Sequence, residues 1–183
     1  MKKLNIGSAN DYREGFINVD FNPAVKADVY ADLSKRLPFE DNSVDYIYAS
    51  HIIEHFEKKE VFKIMEELHR ICKPNAIIDI YVPHYTSILA FKIPYHYSYY
   101  GIDSFRIFEE SETAMGERYS PARFKVLKQE LHLVMRGYEN FPILKYFKIF
   151  NFLFNCCKTW QYICERLFFP GFEEVYFKIQ VLK

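Results

Sequence analysis

The chain begins with two short apolar segments, each followed by a polar turn. Leu4–Ile6 and Phe16–Val19 are predicted to be buried strands. Gly7 and Ser8 begin the turn after the first strand, and Asp20 lies at the carboxyl end of the second. In an open parallel sheet, ligands bind outside the carboxyl ends of the strands. Because an acid there can accept hydrogen bonds from two ribose hydroxyl groups, these segments predict the start of a nucleoside-binding site.

The connection between these two strands is unusually short. About ten residues separate them, whereas a parallel crossover normally takes a dozen or more and usually contains a helix. The segment Asp11–Glu14 is therefore predicted to be a tight loop or a single turn. On local evidence alone, a turn glycine and a capping aspartate explain the pattern equally well, because short glycine motifs often match by chance.

Composition is typical of a globular protein of one domain. The 183 residues are 50% hydrophobic and 26% charged, which suffices for a substantial core. The formal net charge is zero, so electrostatics gives no reason to expect a nucleic-acid partner. No secretory signal is visible, and no apolar run reaches the roughly 20 residues of a membrane-spanning helix. The four cysteines lack metal-site spacing, which favours reduced thiols in a cytoplasmic protein.

Strand-like and helical segments begin to alternate after the second strand. Ala27–Leu33 is predicted to be a short strand that ends at Asp32, and Val44–Ser50 and Ala76–Val82 are predicted to be longer ones. Between the longer strands, Lys58–Cys72 has apolar residues along one stripe at helical spacing. This alternation predicts an α/β fold with a mostly parallel sheet.

The second half of the chain is rich in aromatic residues and is less regular. Residues 85–119 are predicted to be loop-rich, with one short helix over the open end of the sheet. Arg123–Met135 is predicted to be an extended strand, Phe141–Leu167 a helical segment, and Glu174–Leu182 a closing strand because its residues alternate.

Five stretches, in this order and spacing, resemble the class I S-adenosylmethionine-dependent methyltransferases, specifically the methyltransferase-11-like group with a shortened first crossover. They are LNIGSANDYREGFINVDFNP, ADVYADL, LPFEDNSVDYIYASHIIEHF, ELHRICKPNAIIDIYVP and EEVYFKIQVLK. The resemblance covers residues 1–110 well and the last strand more loosely. It implies a Rossmann-like sheet of seven strands, the last antiparallel to the others, in a single domain 1–183 with an aromatic helical insert at about 136–172.

The resemblance also implies S-adenosylmethionine as the cofactor and a role for each matching residue. Gly7 and Ser8 would contact its methionine part, although Ala9 stands where the family usually has a further glycine. Asp20 would bind the ribose, and Phe21, Asp32 and Leu33 would contact the adenine. Ser50 and His51 would lie beside the methionine part and the transferred methyl group.

Two histidines are candidate catalytic residues because both follow strands at the ligand-bearing edge. They are His51, after Val44–Ser50, and His84, after Ala76–Val82. For His84, a hydrogen-bonded structural role is an equally good interpretation. His51 and His55 also fit the inverted zinc-protease pattern H-x-x-E-H, but His51 leaves a strand directly, so the two need not share a helical face. No metal site is therefore predicted, and a zinc hydrolase stays the least favoured alternative.

The aromatic segment 141–157 has more apolar surface than one core-facing helix stripe requires. Three interpretations stay open: a helix buried in its own subunit, a homodimer contact, or a peripheral membrane or lipid-acceptor surface. We expect part of the segment to cover the acceptor side of the site.

Taken together, the sequence predicts a methyltransferase that uses S-adenosylmethionine on a small-molecule or a glycan- or lipid-linked acceptor. The main alternative is a binding module that keeps the methyltransferase fold without catalysis.

Overall fold

The structure is a computed structural model that describes residues 1–109, 119–134, 147–167 and 171–183. One seven-stranded sheet runs through it in the order β3-β2-β1-β4-β5-β7-β6. The strands are β1 Lys3–Ile6, β2 Ile17–Asp20, β3 Val29–Tyr30, β4 Val44–Ser50, β5 Cys72–Pro83, β6 Arg123–His132 and β7 Glu174–Leu182. The helices are α1 Lys58–Ile71, α2 Ile88–Lys92, α3 Phe147–Phe154 and α4 Lys158–Leu167, with single turns of 3₁₀ helix at Ile53–His55 and Ser104–Phe108.

The predicted Rossmann-like sheet is confirmed. β1 to β5 pair in parallel, and β7 lies antiparallel between β5 and β6. β7 presents the predicted alternation, with Val175, Phe177, Ile179 and Val181 all fully buried. Since β1, β2 and β4 run in the same direction, the turns after them meet at one edge of the sheet.

Hydrogen bonds of one buried asparagine take the place of the missing first crossover helix. The Asn18 amide oxygen accepts from Asn5 Nδ2 at 3.0 Å and from the Arg13 backbone N–H at 2.9 Å. Its amide nitrogen donates to the Arg13 and Phe16 carbonyls and to Asp28. Asn18 is fully buried, so these bonds satisfy its polar atoms. They hold the short loop against β1 and β2 without a helix.

The predicted helix and its apolar stripe are confirmed as α1. Its buried side chains are Val61, Ile64, Met65, Leu68 and Ile71, which pack on the sheet. The largest differences from the predicted strand boundaries are in β5 and β3. β5 begins at Cys72 because Cys72 already pairs with Val44, and β3 shrinks to Val29–Tyr30 because this edge strand has only β2 beside it.

The helices α3 and α4 lie in the predicted aromatic insert; residues 135–146 and 168–170 of that region are outside the described ranges. Asn151 of α3 and Asn155, the residue after its end, bind the edge strand β6. Asn151 accepts from the Leu133 N–H, and Asn155 both accepts from the Leu131 N–H and donates to the Leu131 carbonyl. Thus these two side chains occupy the open hydrogen-bonding edge of the sheet.

None of the helices in the described ranges is both long enough and apolar enough to cross a membrane.

Candidate active site

A cavity of about 590 Å³ lies at the edge of the sheet where β1, β2 and β4 end. This size is ordinary for small-ligand sites. Its lining comes from the turns after the three strands, from the segment after β3 and from the segment after α2. The lining residues are Gly7, Ala9, Asp20, Phe21, Asn22, Val25, Ala31, Asp32, Leu33, His51, Ile52, His55, Phe56, Tyr95 and Tyr97.

The turn after β1 forms one wall of this cavity and has a left-handed backbone. Gly7 has φ +63°, and a Cβ atom there would lie 2.5 Å from Cγ1 of Ile52. Glycine is thus required both by conformation and by the close approach of Ile52. Ala9 has φ 40°, a conformation that places its N–H 2.8 Å from Oδ2 of Asp20.

Asp20 is held in place by backbone groups on both sides. Its Oδ2 accepts from the Ala9 N–H and its Oδ1 from the Asn22 N–H at 2.9 Å. A carboxylate has about four lone-pair sites, so capacity remains for two hydroxyl donors from the cavity. Beside it, Ser8 is buried, and its hydroxyl has no hydrogen-bond partner. A buried unpaired hydroxyl next to an oriented acid is suited to a polar ligand.

Asp32, Leu33 and Phe21 line the same end of the cavity. Hydrogen bonds from the Ser34 hydroxyl and N–H hold the pKa of Asp32 below its usual range, so it is a carboxylate at neutral pH. Phe21 is 72% exposed, which leaves its ring available to a flat ligand. Ser50, the last residue of β4, is not among the lining residues.

His51 lines the cavity and lies between two buried carboxylates. Its Nε2 lies 2.8 Å from Glu174 Oε1, and its Nδ1 lies 3.4 Å from Glu54 Oε1. Burial lowers the pKa of His51, but the carboxylates of Glu174 and Glu54 outweigh burial and raise it to about 9. His51 is therefore an imidazolium at neutral pH. Its backbone, at φ 53°, is also left-handed, a strain that is common at functional sites.

The structure places His84, the second candidate catalytic residue, outside the cavity. It is fully buried, with Nδ1 2.7 Å from the Thr86 hydroxyl and Nε2 3.0 Å from Glu165. Both ring nitrogens are engaged with protein groups, so the ring has no nitrogen left for a substrate. Its position indicates that it links β5 to α4, which is the hydrogen-bonded structural role considered for His84 in the sequence analysis.

Sequence reasoning did not single out three residues at or near this cavity. Tyr95 and Tyr97 line the cavity. Glu174, at the start of β7 and opposite Pro83 of β5, contacts His51 from behind the lining. Tyr95 is 68% exposed and Tyr97 51%. No local motif marks these residues, although the predicted loop-rich segment over the open end of the sheet contains both tyrosines.

The sequence model of the methyltransferase domain family matches residues 8–80. That range holds the strand-end residues Asp20 and Asp32, and it ends within β5. Residues 8–80 are thus similar to the methyltransferase domain family. The described residues outside this range complete a class I methyltransferase fold, and the similarity implies S-adenosylmethionine as the cofactor. A comparison with curated proteins found no match.

Solved structures extend the similarity of fold over nearly the whole chain. A SAM-dependent methyltransferase from Archaeoglobus fulgidus is 18% identical, with a TM-score of 0.62 over 98% of this chain and 85% of its own. The YcgJ protein from Bacillus subtilis is 14% identical, with a TM-score of 0.56 over 100% and 92%. The cyclase SpnF is 12% identical, with a TM-score of 0.54 over 99% and 75%. Because a cyclase shares the fold, the fold alone does not decide the reaction.

The residues that line this cavity fit S-adenosylmethionine. Asp20 has free acceptor capacity for the ribose, the unpaired Ser8 hydroxyl is suited to a polar group, and Phe21 offers a ring face. The methyl group of Ala9 does not close the cavity, since Ala9 is one of its lining residues.

Proposed function

We propose that this protein transfers a methyl group from S-adenosylmethionine to a small-molecule or a glycan- or lipid-linked acceptor. The observation that supports this most directly is the arrangement of one cavity. Oriented acids at its strand-tip end suit a nucleoside, and His51, Tyr95 and Tyr97 stand at the other end, where an acceptor would enter.

S-adenosylmethionine supplies a sulfonium-bound methyl group, which bonds to the acceptor nucleophile as the carbon–sulfur bond breaks and sulfur keeps the electron pair. In-line displacement of this kind needs alignment and exclusion of water more than a particular side chain. On this proposal Gly7, Ser8 and Asp20 bind and orient the cofactor, with Asp32 and Leu33 at the adenine. Ser50, beside the cavity, supports the turn from which His51 emerges.

His51 acts as a positioning residue on this proposal. As an imidazolium with Glu174 at one nitrogen and Glu54 near the other, it cannot accept a proton at neutral pH. Its ring instead fixes the wall between the two ends of the cavity. We expect His51→Ala to lower kcat for methyl transfer with a much smaller change in cofactor affinity, and His69→Ala, on α1, to change neither.

An exposed apolar face supports the lipid-linked form of the acceptor. On α4, Trp160, Ile163 and Leu167 recur at helical spacing and are 43%, 40% and 78% exposed. On α3, Phe152 is 76% exposed. An amphipathic helix face of this kind can lie in a lipid interface. Sedimentation with anionic vesicles would show binding if this face contacts lipid; sedimentation as a dimer without vesicles would assign it to a second copy.

The test of the proposed reaction is a screen of metabolite and lipid extracts with methyl-labelled S-adenosylmethionine. We expect label to appear in an acceptor with the wild type and to be lost with Asp20→Ala. Binding of S-adenosylmethionine without transfer to any fraction would favour the alternative of a binding module.

A further inference from the structure

A buried carboxylate and two imidazoles converge beside the acceptor end of the cavity. Glu54 and His55 come from the 3₁₀ turn Ile53–His55, and His96 comes from the segment after α2. One ligand atom from each lies within 4.8 Å of the other two. The rings of His55 and His96 meet edge to face, with centroids 4.7 Å apart. A carboxylate and two imidazoles form a donor set typical of zinc sites.

Glu54 is the least satisfied of the three. It is 1% exposed, and neither carboxylate oxygen has a hydrogen-bond partner. Its ion-pair partner His51 lies 3.4 Å away at Nδ1, in a geometry that does not form a hydrogen bond. Leaving a buried charged group without hydrogen bonds is costly, so such a carboxylate points to a missing ligand.

The surroundings of both histidines leave a ring nitrogen available to a ligand. The Nδ1 of His55 lies 3.2 Å from the Tyr95 carbonyl, so Nδ1 carries the proton and Nε2 the lone pair. For His96, which is 6% exposed, Nδ1 is buried and has no hydrogen-bond partner. Metal-binding histidines are usually oriented by a bond from the second nitrogen, as His55 is.

We propose that Glu54, His55 and His96 bind a divalent metal ion of the zinc type. At bond lengths of about 2.0–2.2 Å, an inward side-chain shift of about 1 Å brings the three atoms to one ion. Since His55 also lines the cavity, we expect a further coordination position to be open to the cavity. In its link to methyl transfer this inference rests on the proposed function: the open position suits an acceptor oxygen, whose hydroxyl proton a bound cation makes easier to lose to solvent.

This site differs from the zinc alternative considered from sequence. That alternative joined His51 to His55 through the H-x-x-E-H pattern. In the structure, Nε2 of His51 is bound to Glu174, and His51 is not part of the convergent group. His96 takes its place.

The test is titration of metal-free protein with Zn²⁺ against a chromogenic chelator, followed by the absorption spectrum of the Co²⁺-loaded protein. We expect one ion per chain in the wild type. His96→Asn and Glu54→Gln should each weaken Zn²⁺ binding by at least about tenfold. The matched controls on α1, His69→Asn and Glu66→Gln, should bind as the wild type does.

Absence of stoichiometric Zn²⁺ binding, or unchanged binding in His96→Asn, would overturn the site. If Glu54→Gln does not fold, His96→Asn decides the result, because it should also change the Co²⁺ spectrum. Melting of the metal-free protein with S-adenosylhomocysteine separates the two proposals. A melting shift without Zn²⁺ binding refutes only the metal site, and Zn²⁺ binding without a melting shift refutes only the cofactor assignment.

Discussion

The two ends of the cavity are built in opposite ways. At the proposed cofactor end, nearby turns orient each acid: Ala9 and Asn22 donate backbone N–H groups to Asp20, and Ser34 does so to Asp32. At the acceptor end, segments far apart in sequence bring together titratable side chains. There Glu174 from β7 meets His51 after β4, a separation of 123 residues.

The two ends therefore differ in how their geometry and charge are fixed. Fixed backbone donors cost little to reorganise, so the cofactor end is arranged before any ligand binds. The acceptor end holds its charge in buried ion pairs, whose state depends on neighbours and on pH. We therefore expect substitutions at the first end to change cofactor affinity, and substitutions at the second to change turnover, metal binding and pH dependence.

The largest effect is expected from Asp20→Ala. The substitution should remove two hydrogen bonds from the ribose hydroxyl groups to the Asp20 carboxylate, each worth about 1.5–3 kcal/mol. The affinity for S-adenosylmethionine should therefore fall by at least about tenfold. Calorimetric titration measures it. Asp45→Ala, at the opposite end of β4, is the matched control and should leave the titration unchanged. Equal heats for Asp20→Ala and the wild type would remove the assignment of the cofactor end.

The next effect is expected at Gly7, which lines the cavity against Ile52. Gly7→Ala should lower the free energy of unfolding by about 2–4 kcal/mol, because it combines a left-handed backbone with an overlap with Ile52. Gly15→Ala is the matched control: its φ is +77°, with no atom within 4 Å of the added Cβ. Backbone strain alone should cost about 1–2 kcal/mol there. Equal losses in urea unfolding would contradict the role of the Ile52 contact.

A smaller effect concerns the pH dependence of the acceptor end. Burial lowers the pKa of His132, but Glu130 on β6 and Glu174 on β7 outweigh it and raise the pKa; Tyr81 of β5 and Tyr176 also face the ring. Because the folded pKa lies above the unfolded one, His132 contributes stability below about pH 6.5, which is lost as pH rises through the folded pKa.

His132→Gln should therefore flatten the fall in the free energy of unfolding above about pH 6.5. His51 keeps its own contact with Glu174, so the fall should be reduced and not abolished. Urea unfolding across this pH range measures it, with His69→Gln as the control. A slope identical to that of the wild type would contradict the assigned charge of His132.

The smallest effect is expected at Ala9. Ala9→Gly should relieve the strain of a left-handed backbone, which costs about 1–2 kcal/mol in the folded state. It should also raise the entropy of the unfolded chain, which lowers stability by about 0.4–1 kcal/mol. The net gain in the free energy of unfolding should be about 0.5 kcal/mol. Ala31→Gly, at another lining alanine, should instead destabilise. Thermal melting of the pair checks the sign, and a loss of stability in both would show that Ala9 is not strained.

The same contrast explains how much could be predicted from the sequence. The strands of the sheet, the short crossover and the positions of Asp20 and Asp32 after strands follow from local patterns, because strand tips and turns are encoded within a few residues. Neither the contact of Glu174 with His51 nor the role of Asn155 on the edge of β6 has a local signal. Both depend on which strands and helices become neighbours, and so does the contact of His84 with Glu165 of α4.

The measurement that tests the central claim most directly is thermal melting of the wild-type protein with S-adenosylhomocysteine. At about 100 times its Kd, a ligand that binds the folded cavity adds roughly 2.7 kcal/mol to the free energy of unfolding. We predict a saturable rise in melting temperature in the wild type and little rise in Asp20→Ala at the same ligand concentration. A melting temperature unmoved by S-adenosylhomocysteine and by S-adenosylmethionine would contradict the account.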